Sequence, residues 1–232
     1  MAANVLGGMF SAGAFENTKC KSQATCEYFL YQQVASTRET RAVGLKVAST
    51  SAVLLKNSRA THTHTKIGTR ATLPLNWKPD IVVVGSACDA RQWALPRGPG
   101  WDTQDYMTLG GSGRVHAAAT RSLLQALQAR GARVVGVSPQ NNVDLAMQAG
   151  YGGAVDVVIA CGGSTSEEGF DRDSLKLDQH VFLTELSRRH ALHKEPKPRL
   201  VIASFAPGAI VALWAALADS AAILARLWRD FS

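Results

Sequence analysis

Short, continuous apolar runs alternate with amphipathic stretches along the second two-thirds of the chain. Each run has the length and β-branched composition of a strand covered on both faces. The runs are IVVVG (81–85), ARVVGV (132–137), VDVVIA (155–160) and RLVIAS (199–204). Helical stripes lie between them, at 117–130, 142–150 and 179–189. This alternation predicts an α/β fold, with a mostly parallel sheet between two layers of helices.

Several finer expectations follow from the same pattern. Gly131 is expected at the C′ position of the helix over 117–130, and Asp178 is placed to cap the helix that begins at Gln179. The run AAILARLW (221–228) fits a fifth strand or a helix, because periodicity alone cannot distinguish them.

The first third of the chain is less regular. Apolar spacing predicts a helix near 5–12 and another over 36–48, where Ser36 and Glu39 have the spacing of a capping box. SAVLLKN, which ends at Asn57, is a short β-prone run, and the Thr- and Arg-rich stretch that follows reads as a linker. We therefore expect a partial N-terminal segment (1–57), a linker (58–79) and an α/β domain (80–232).

One loop with unusual charge follows the third predicted strand. The acidic loop (residues 164–177) reads STSEEGFDRDSLKL and places Glu167 and Glu168 side by side beyond the carboxyl end of the strand. Ligands bind at such strand ends in parallel sheets. Adjacent carboxylates repel, which raises the pKa of the less solvated one and makes it a candidate general acid. Arg172 can hold Asp171 through a two-point bond. Taken alone, the residues fit a solvated surface loop better than a general acid, since acidic loops are common surface features.

A second loop, after the first predicted strand, ends in Gly110, Gly111, Ser112, Gly113 and Arg114. Its backbone N–H groups are suited to an anion, and a tight turn that needs small residues explains the glycines equally well. A dinucleotide fingerprint would place its glycines directly between strand and helix, and these come about 25 residues later.

Composition narrows the classes of function. The 232 residues carry a formal net charge of +7, with 46% hydrophobic and 19% charged residues, as in globular proteins. The basic residues are scattered, so we expect no nucleic-acid partner. No stretch reaches the ~18 apolar residues of a membrane helix, and the N-terminus lacks the positive start of a signal peptide.

Cysteine and histidine residues add two expectations. Cys88 and Cys161 follow predicted strands and read as near-core thiols, whereas Cys20 and Cys26 can form a small disulfide. His62 and His64 alternate without further ligands at fitting spacing, so no metal site is expected.

Four segments, in this order, resemble family 3 glycoside hydrolases. They are VLGGMFSAGAF (5–15), TRETRAVGLKVASTSAVLLKN (37–57), TLGGSGRV (108–115) and STSEEGFDRDSLKL (164–177). The resemblance implies the C-terminal, three-layer α/β sandwich of a β-glucosidase-like enzyme, incomplete at its C-terminus.

The resemblance also assigns roles. The Glu before the Gly of the acidic loop, Glu168, would be the acid/base, and the loop residues Glu167, Asp171 and Arg172, with the segment Gly110–Arg114, would support it. A barrel domain absent from this chain would supply the nucleophilic Asp, so the chain reads as a fragment whose own activity is doubtful. The substrate would be a β-glucoside or oligosaccharide, with no cofactor. Two alternatives are a non-catalytic carbohydrate-binding or interaction domain of the same fold, and a nucleotide-binding α/β protein.

Overall fold

The structure is a computed structural model and describes most of the chain. The described residues are 2–16, 22, 26–28, 32, 36–58, 71–75, 78–90, 106–112, 120–194, 196–216 and 220–226, the last range by its backbone alone. Cys20, His62, His64, Gly113 and Arg114 lie outside them, so the expectations placed on those residues stay expectations. The chain divides into two compact units, Met1–Arg41 and Ala42–Ser232.

The first unit contains the predicted N-terminal helix. Helix α1 spans Ala2–Ser11, and a 3-10 turn at Ala14–Glu16 brings the ring of Phe15 to 4.3 Å from that of Phe10. Helix α2, Arg38–Thr50, begins in this unit and continues into the second. The predicted capping pair Ser36 and Glu39 is wrong: Thr37 and Thr40 exchange backbone-to-hydroxyl hydrogen bonds instead, because the helix starts one residue later. Neither helix contains a buried residue.

The second unit is built on a six-stranded sheet. The strands are β1 (Val53–Asn57), β2 (Asp80–Val84), β3 (Arg133–Ser138), β4 (Val157–Gly163), β5 (Arg199–Ala206) and β6 (Ser220–Arg226). Their spatial order is β1-β6-β5-β4-β2-β3, and only β1 is antiparallel, to β6. The four predicted strands are mutually parallel, which confirms the expected sheet. In the ambiguous run at 221–228, the described residues 221–226 belong to strand β6.

Helices cover both faces of this sheet, as expected. Helices α4 (Val143–Tyr151) and α5 (His180–Leu192) pack over one face, around a buried cluster that includes Leu186, Leu200 and Trp214. Helix α3 (Leu123–Ala129) and a 3-10 helix at Ser86–Asp89 cover the other. Each fully buried large apolar side chain contributes about 1.5–3 kcal/mol, so the β2-β4-β5 centre is the most stable part of the unit.

Local signals fix the helix ends, with one exception. Ser122 and Gln125 form a capping box at α3, Asn142 caps α4, and Gly131 has the positive φ of a C′ glycine, as predicted. The prediction that Asp178 caps α5 is wrong. The N-cap residue is Gln179, which makes no side-chain cap bond, because both side chains are used elsewhere.

The expectation of free near-core thiols at Cys88 and Cys161 is also wrong. Both residues are buried, and a disulfide joins them with a Cα–Cα separation of 5.0 Å. The physical reason is strand order: β2 and β4 are neighbours, so residues at their carboxyl ends come within bonding distance. None of the described helices has the length and apolar character needed to cross a membrane.

Candidate active site

The acidic loop leaves the sheet at the carboxyl end of β4 and is tied to the fold at several points. Ser164 donates its N–H to the carbonyl of Phe205 on β5, at 2.9 Å. Asp178, which follows the loop, donates its N–H to the carbonyl of Gly163, at 2.9 Å. The loop is therefore closed at its base, and Glu168 lies at its exposed outer part.

The structure brings together the two loops that the sequence singled out. The N–H of Gly110 donates to the carbonyl of Ser166 at 2.9 Å, and Gly110 forms a parallel bridge with Glu167. The backbone N–H of Ser112 donates to Oε2 of Glu168 at 2.7 Å, and the Ser112 hydroxyl donates to the same oxygen. The anion that the glycine-rich segment receives is thus the Glu168 carboxylate.

Hydrogen bonding decides the ionisation of Glu168. The Ser112 hydroxyl, and after it the Ser112 backbone N–H, lower the pKa of Glu168 below its ordinary value. A raised pKa is expected for the less solvated of two adjacent carboxylates, and Glu168 is the more exposed one. Its side chain accepts two bonds that favour the charged form.

Arg172 holds the acidic loop, but not through Asp171. Its guanidinium donates to the carbonyls of Thr165 at 3.0 Å and Ser174 at 3.2 Å, and also to that of Lys176. The predicted two-point bond to Asp171 is wrong, because the guanidinium points into the turn of the loop and bonds backbone there. Three carbonyls held by one planar guanidinium fix the curvature of the loop around an open pocket of about 400 Å³.

Tyr106 is a site residue that the sequence reasoning missed. Its hydroxyl donates to Asp178 Oδ2 at 2.6 Å and accepts from Gln179 Nε2 at 2.9 Å, while Gln179 Oε1 accepts from the N–H of Gly163 at 2.8 Å. Burial, followed by the bond to Asp178, raises the pKa of Tyr106 to about 12. No periodicity marks such a residue, since it lies in an irregular segment and its partners are 72 and 73 residues away.

Parallel sheets of this kind bind nucleotides in a crevice beyond the carboxyl ends of their strands. That crevice lies between the carboxyl ends of β2 and β4, where the strand order reverses. The buried Cys88–Cys161 disulfide lies next to it, and a Cβ at Gly85 would come within 3.0 Å of the Phe182 ring. The described residues beside this crevice are therefore closely packed. No cluster of three metal-ligating side chains occurs among the described residues.

Comparison with solved structures gives the same architecture. A β-glucosidase from Chaetomella raphigera matches with a TM-score of 0.60 and 22% identity, over 84% of this chain and 27% of that one. A family 3 β-glucosidase from Neurospora crassa matches with a TM-score of 0.61 and 18% identity, over 84% and 23%. An exo-β-xylosidase of the same family matches with a TM-score of 0.50 and 17% identity, over 82% and 22%. The chain thus spans about a quarter of the length of these proteins.

Sequence comparison identifies the family directly. No curated protein matches the chain. The sequence model described as the glycosyl hydrolase family 3 C-terminal domain matches residues 52–229, which is most of the chain and includes every strand of the sheet. The chain therefore belongs to glycosyl hydrolase family 3, through the C-terminal domain of that family.

Proposed function

We propose that this chain supplies the acid/base residue, Glu168, of a glycoside hydrolase that removes β-linked glucose from non-reducing ends. The observation that supports this role is the double hydrogen bond from Ser112 to Oε2 of Glu168. It fixes an exposed carboxylate at the outer part of a braced loop and leaves Oε1 available to a substrate. Arg172 and the Gly110–Ser112 segment act as support.

The proposed chemistry needs two carboxyl groups. A retaining glycosidase places them about 5–5.5 Å apart across the scissile bond. One protonates the leaving-group oxygen, and the other forms a covalent intermediate with the sugar. In this proposal Glu168 is the proton donor, and a barrel domain outside the matched residues supplies the nucleophile.

The pKa of Glu168 fits both of its proposed steps. A nucleophilic carboxylate nearby would favour protonated Glu168 by like-charge repulsion, and that is the form that donates the proton. Once the nucleophile is esterified its charge is gone, and the Ser112 bonds, which lower the pKa of Glu168, favour the ionised form. Ionised Glu168 then accepts a proton from the attacking water.

The test is a chimaera with a complete enzyme. Residues 52–229 would replace the corresponding segment of the Chaetomella raphigera β-glucosidase, and Glu168→Gln would be compared with Glu167→Gln. General acid catalysis contributes roughly 10²- to 10⁴-fold. We therefore expect Glu168→Gln to lower kcat/KM for glucosides with poor leaving groups by about this factor and to spare kcat/KM for those with good ones, whose departure needs no proton.

Two results would contradict this function. Equal effects of the two substitutions on every substrate would remove Glu168 from the chemistry. A folded chimaera that binds glucose without hydrolysing any glucoside would favour the non-catalytic carbohydrate-binding alternative.

A further inference from the structure

Two segments that are distant in sequence are joined at two places in this site. The 106–112 segment meets the acidic loop at its outer part, where Ser112 bonds Glu168, and at its base, where Tyr106 bonds Asp178 and Gln179. The base consists of Gly163 and Asp178, the residues that immediately precede and follow the acidic loop, together with the next residue, Gln179. At one end of the 106–112 segment, Tyr106 is hydrogen-bonded to the base of the acidic loop. At the other end, Ser112 is hydrogen-bonded to the Glu168 carboxylate.

The base is a closed ring of hydrogen bonds. Gly163 donates its N–H to Gln179 Oε1, and its carbonyl accepts the N–H of Asp178. The Tyr106 hydroxyl completes the ring, since it accepts from Gln179 and donates to Asp178. Each polar atom of the ring has a partner, so the arrangement specifies one position for the phenol.

Packing fixes the Tyr106 ring as closely as hydrogen bonding fixes its hydroxyl. A Cβ at Gly163 would lie 2.4 Å from the nearest atoms of the Tyr106 ring, so only glycine at the end of β4 admits the phenol there. Burial and the bond to Asp178 raise the pKa of Tyr106 to about 12, so the hydroxyl keeps its proton at ordinary pH.

We propose that Tyr106 is a positioning residue for Glu168: its hydroxyl anchors the 106–112 segment at the base of the acidic loop, so that Ser112 meets the carboxylate at one fixed place. The Tyr106 hydroxyl is therefore not part of the contact between Ser112 and Glu168 that it positions. Tyr106 acts through Gly110–Ser112, since its hydroxyl bonds Asp178 and Gln179 rather than Glu168. The proposal rests on the proposed role of Glu168, but the 232-residue chain is sufficient to test it, without any substrate.

The test follows the Glu168 carboxyl carbon and the Ser112 amide proton by NMR as pH is varied. Tyr106→Phe keeps the ring on Gly163 and removes only the hydroxyl. We expect the titration midpoint of Glu168 to rise, in the direction produced by Ser112→Ala, and the Ser112 amide shift to lose its dependence on the Glu168 charge. A structural role alone would lower stability without moving these two signals.

A matched control is available in Tyr151, whose buried hydroxyl bonds His190 Nδ1 at 2.9 Å. Tyr151→Phe removes a hydrogen-bonded phenol hydroxyl away from the loop and should leave both signals as in the original chain. Asp178→Ala, which removes the acceptor of the Tyr106 hydroxyl, should act like Tyr106→Phe. Asp178→Asn keeps an acceptor oxygen and should restore the original signals.

Two outcomes would overturn the proposal: unchanged Glu168 and Ser112 signals in Tyr106→Phe, or equal changes in Tyr106→Phe and Tyr151→Phe. The readout also separates this inference from the proposed function. If Glu168→Gln leaves catalysis in the chimaera intact, the hydrolytic role fails, whereas the coupling between Tyr106 and Glu168 is decided by the titration alone.

Discussion

Gly111 lies so close to Glu168 that a Cβ on the glycine would come within 2.4 Å of the Glu168 Cβ and 2.8 Å of its Oε2. The backbone of Gly111 also has a φ of +88°, which disfavours any other residue. The contact between Ser112 and the carboxylate therefore depends on the absence of a side chain at the position before it.

Gly111→Ala tests this dependence. We expect a loss of about 1–2 kcal/mol from the left-handed backbone, together with displacement of Ser112 and a rise in the pKa of Glu168. Gly131→Ala is the matched control, because Gly131 has a φ of +73° with nothing within 4 Å of the added Cβ. Urea unfolding should show a cost in both variants, and NMR titration should show a change at Glu168 only in Gly111→Ala. A Glu168 titration unaffected by Gly111→Ala would contradict the close contact.

Arg172→Lys tests how the acidic loop is held. An ammonium group cannot reproduce the planar guanidinium that bonds three carbonyls, and hydrogen bonds to charged groups are worth about 1.5–3 kcal/mol. We expect faster hydrogen exchange of the Val211 amide, which donates to the carbonyl of Leu175 in the loop. Asp171→Asn should leave this exchange unchanged. If Asp171→Asn loosens the loop as much as Arg172→Lys, the ion pair predicted from the sequence operates after all.

Reduction of the Cys88–Cys161 disulfide should destabilise the second unit. The bond closes a loop between residues 73 apart, and constraining such a loop in the unfolded chain contributes about 2–4 kcal/mol. The measurement is urea unfolding with and without reductant, in a chain whose Cys20 and Cys26 are replaced by Ser. In the same background, Cys88→Ala with Cys161→Ala should make unfolding insensitive to reductant. Equal stability of the oxidised and reduced chains would contradict the stabilising role.

Stability should fall in acid, and Glu185 is one contributor. Hydrogen bonds from Arg188, and then from Arg189, lower the pKa of Glu185 from 4.5 to about 2. A carboxyl group with a depressed pKa stabilises the fold fully above its unfolded value, and this contribution is lost as pH falls through the folded value. The free energy of unfolding should therefore decrease as the pH falls from 4.5 to about 2. Glu185→Gln should flatten this decrease, whereas Glu16→Gln, at an exposed position of the first unit, should not.

The sequence predicted the sheet well because each strand carries its own signal. Val82, Val83 and Val84 are buried on both faces, and an uninterrupted apolar run records that burial. It also located Glu168 and the glycine-rich segment, since strand ends and turn residues are local features. The lowered pKa of Glu168 was not predictable, because its hydrogen-bond donors lie 56 residues away at Ser112.

The sequence did not predict the disulfide or the position of the Tyr106 ring, for a related reason. Both depend on which strands are neighbours, and apolar runs do not specify strand order. Cys88 meets Cys161 only because β4 lies beside β2, and Tyr106 meets Gly163 only because the 106–112 segment lies at the end of β4. These contacts join residues 57 to 73 positions apart, which no short window of sequence connects.

External anions should distinguish the acid/base role of Glu168 from the role of a nucleophile. With Glu168→Gln in the chimaera, a good leaving group still departs and forms the covalent intermediate, but no base remains to activate water. Azide is already an anion and needs no base, so it should accelerate turnover of this variant. Azide would attack the anomeric carbon from the face of the sugar on which Glu168 stood. Two successive displacements at that carbon preserve its configuration. The expected product is therefore the β-glucosyl azide, identified by its anomeric proton coupling. An α-glucosyl azide would mean that Glu168 is the nucleophile, and acceleration in Glu167→Gln instead would assign the acid/base to its neighbour.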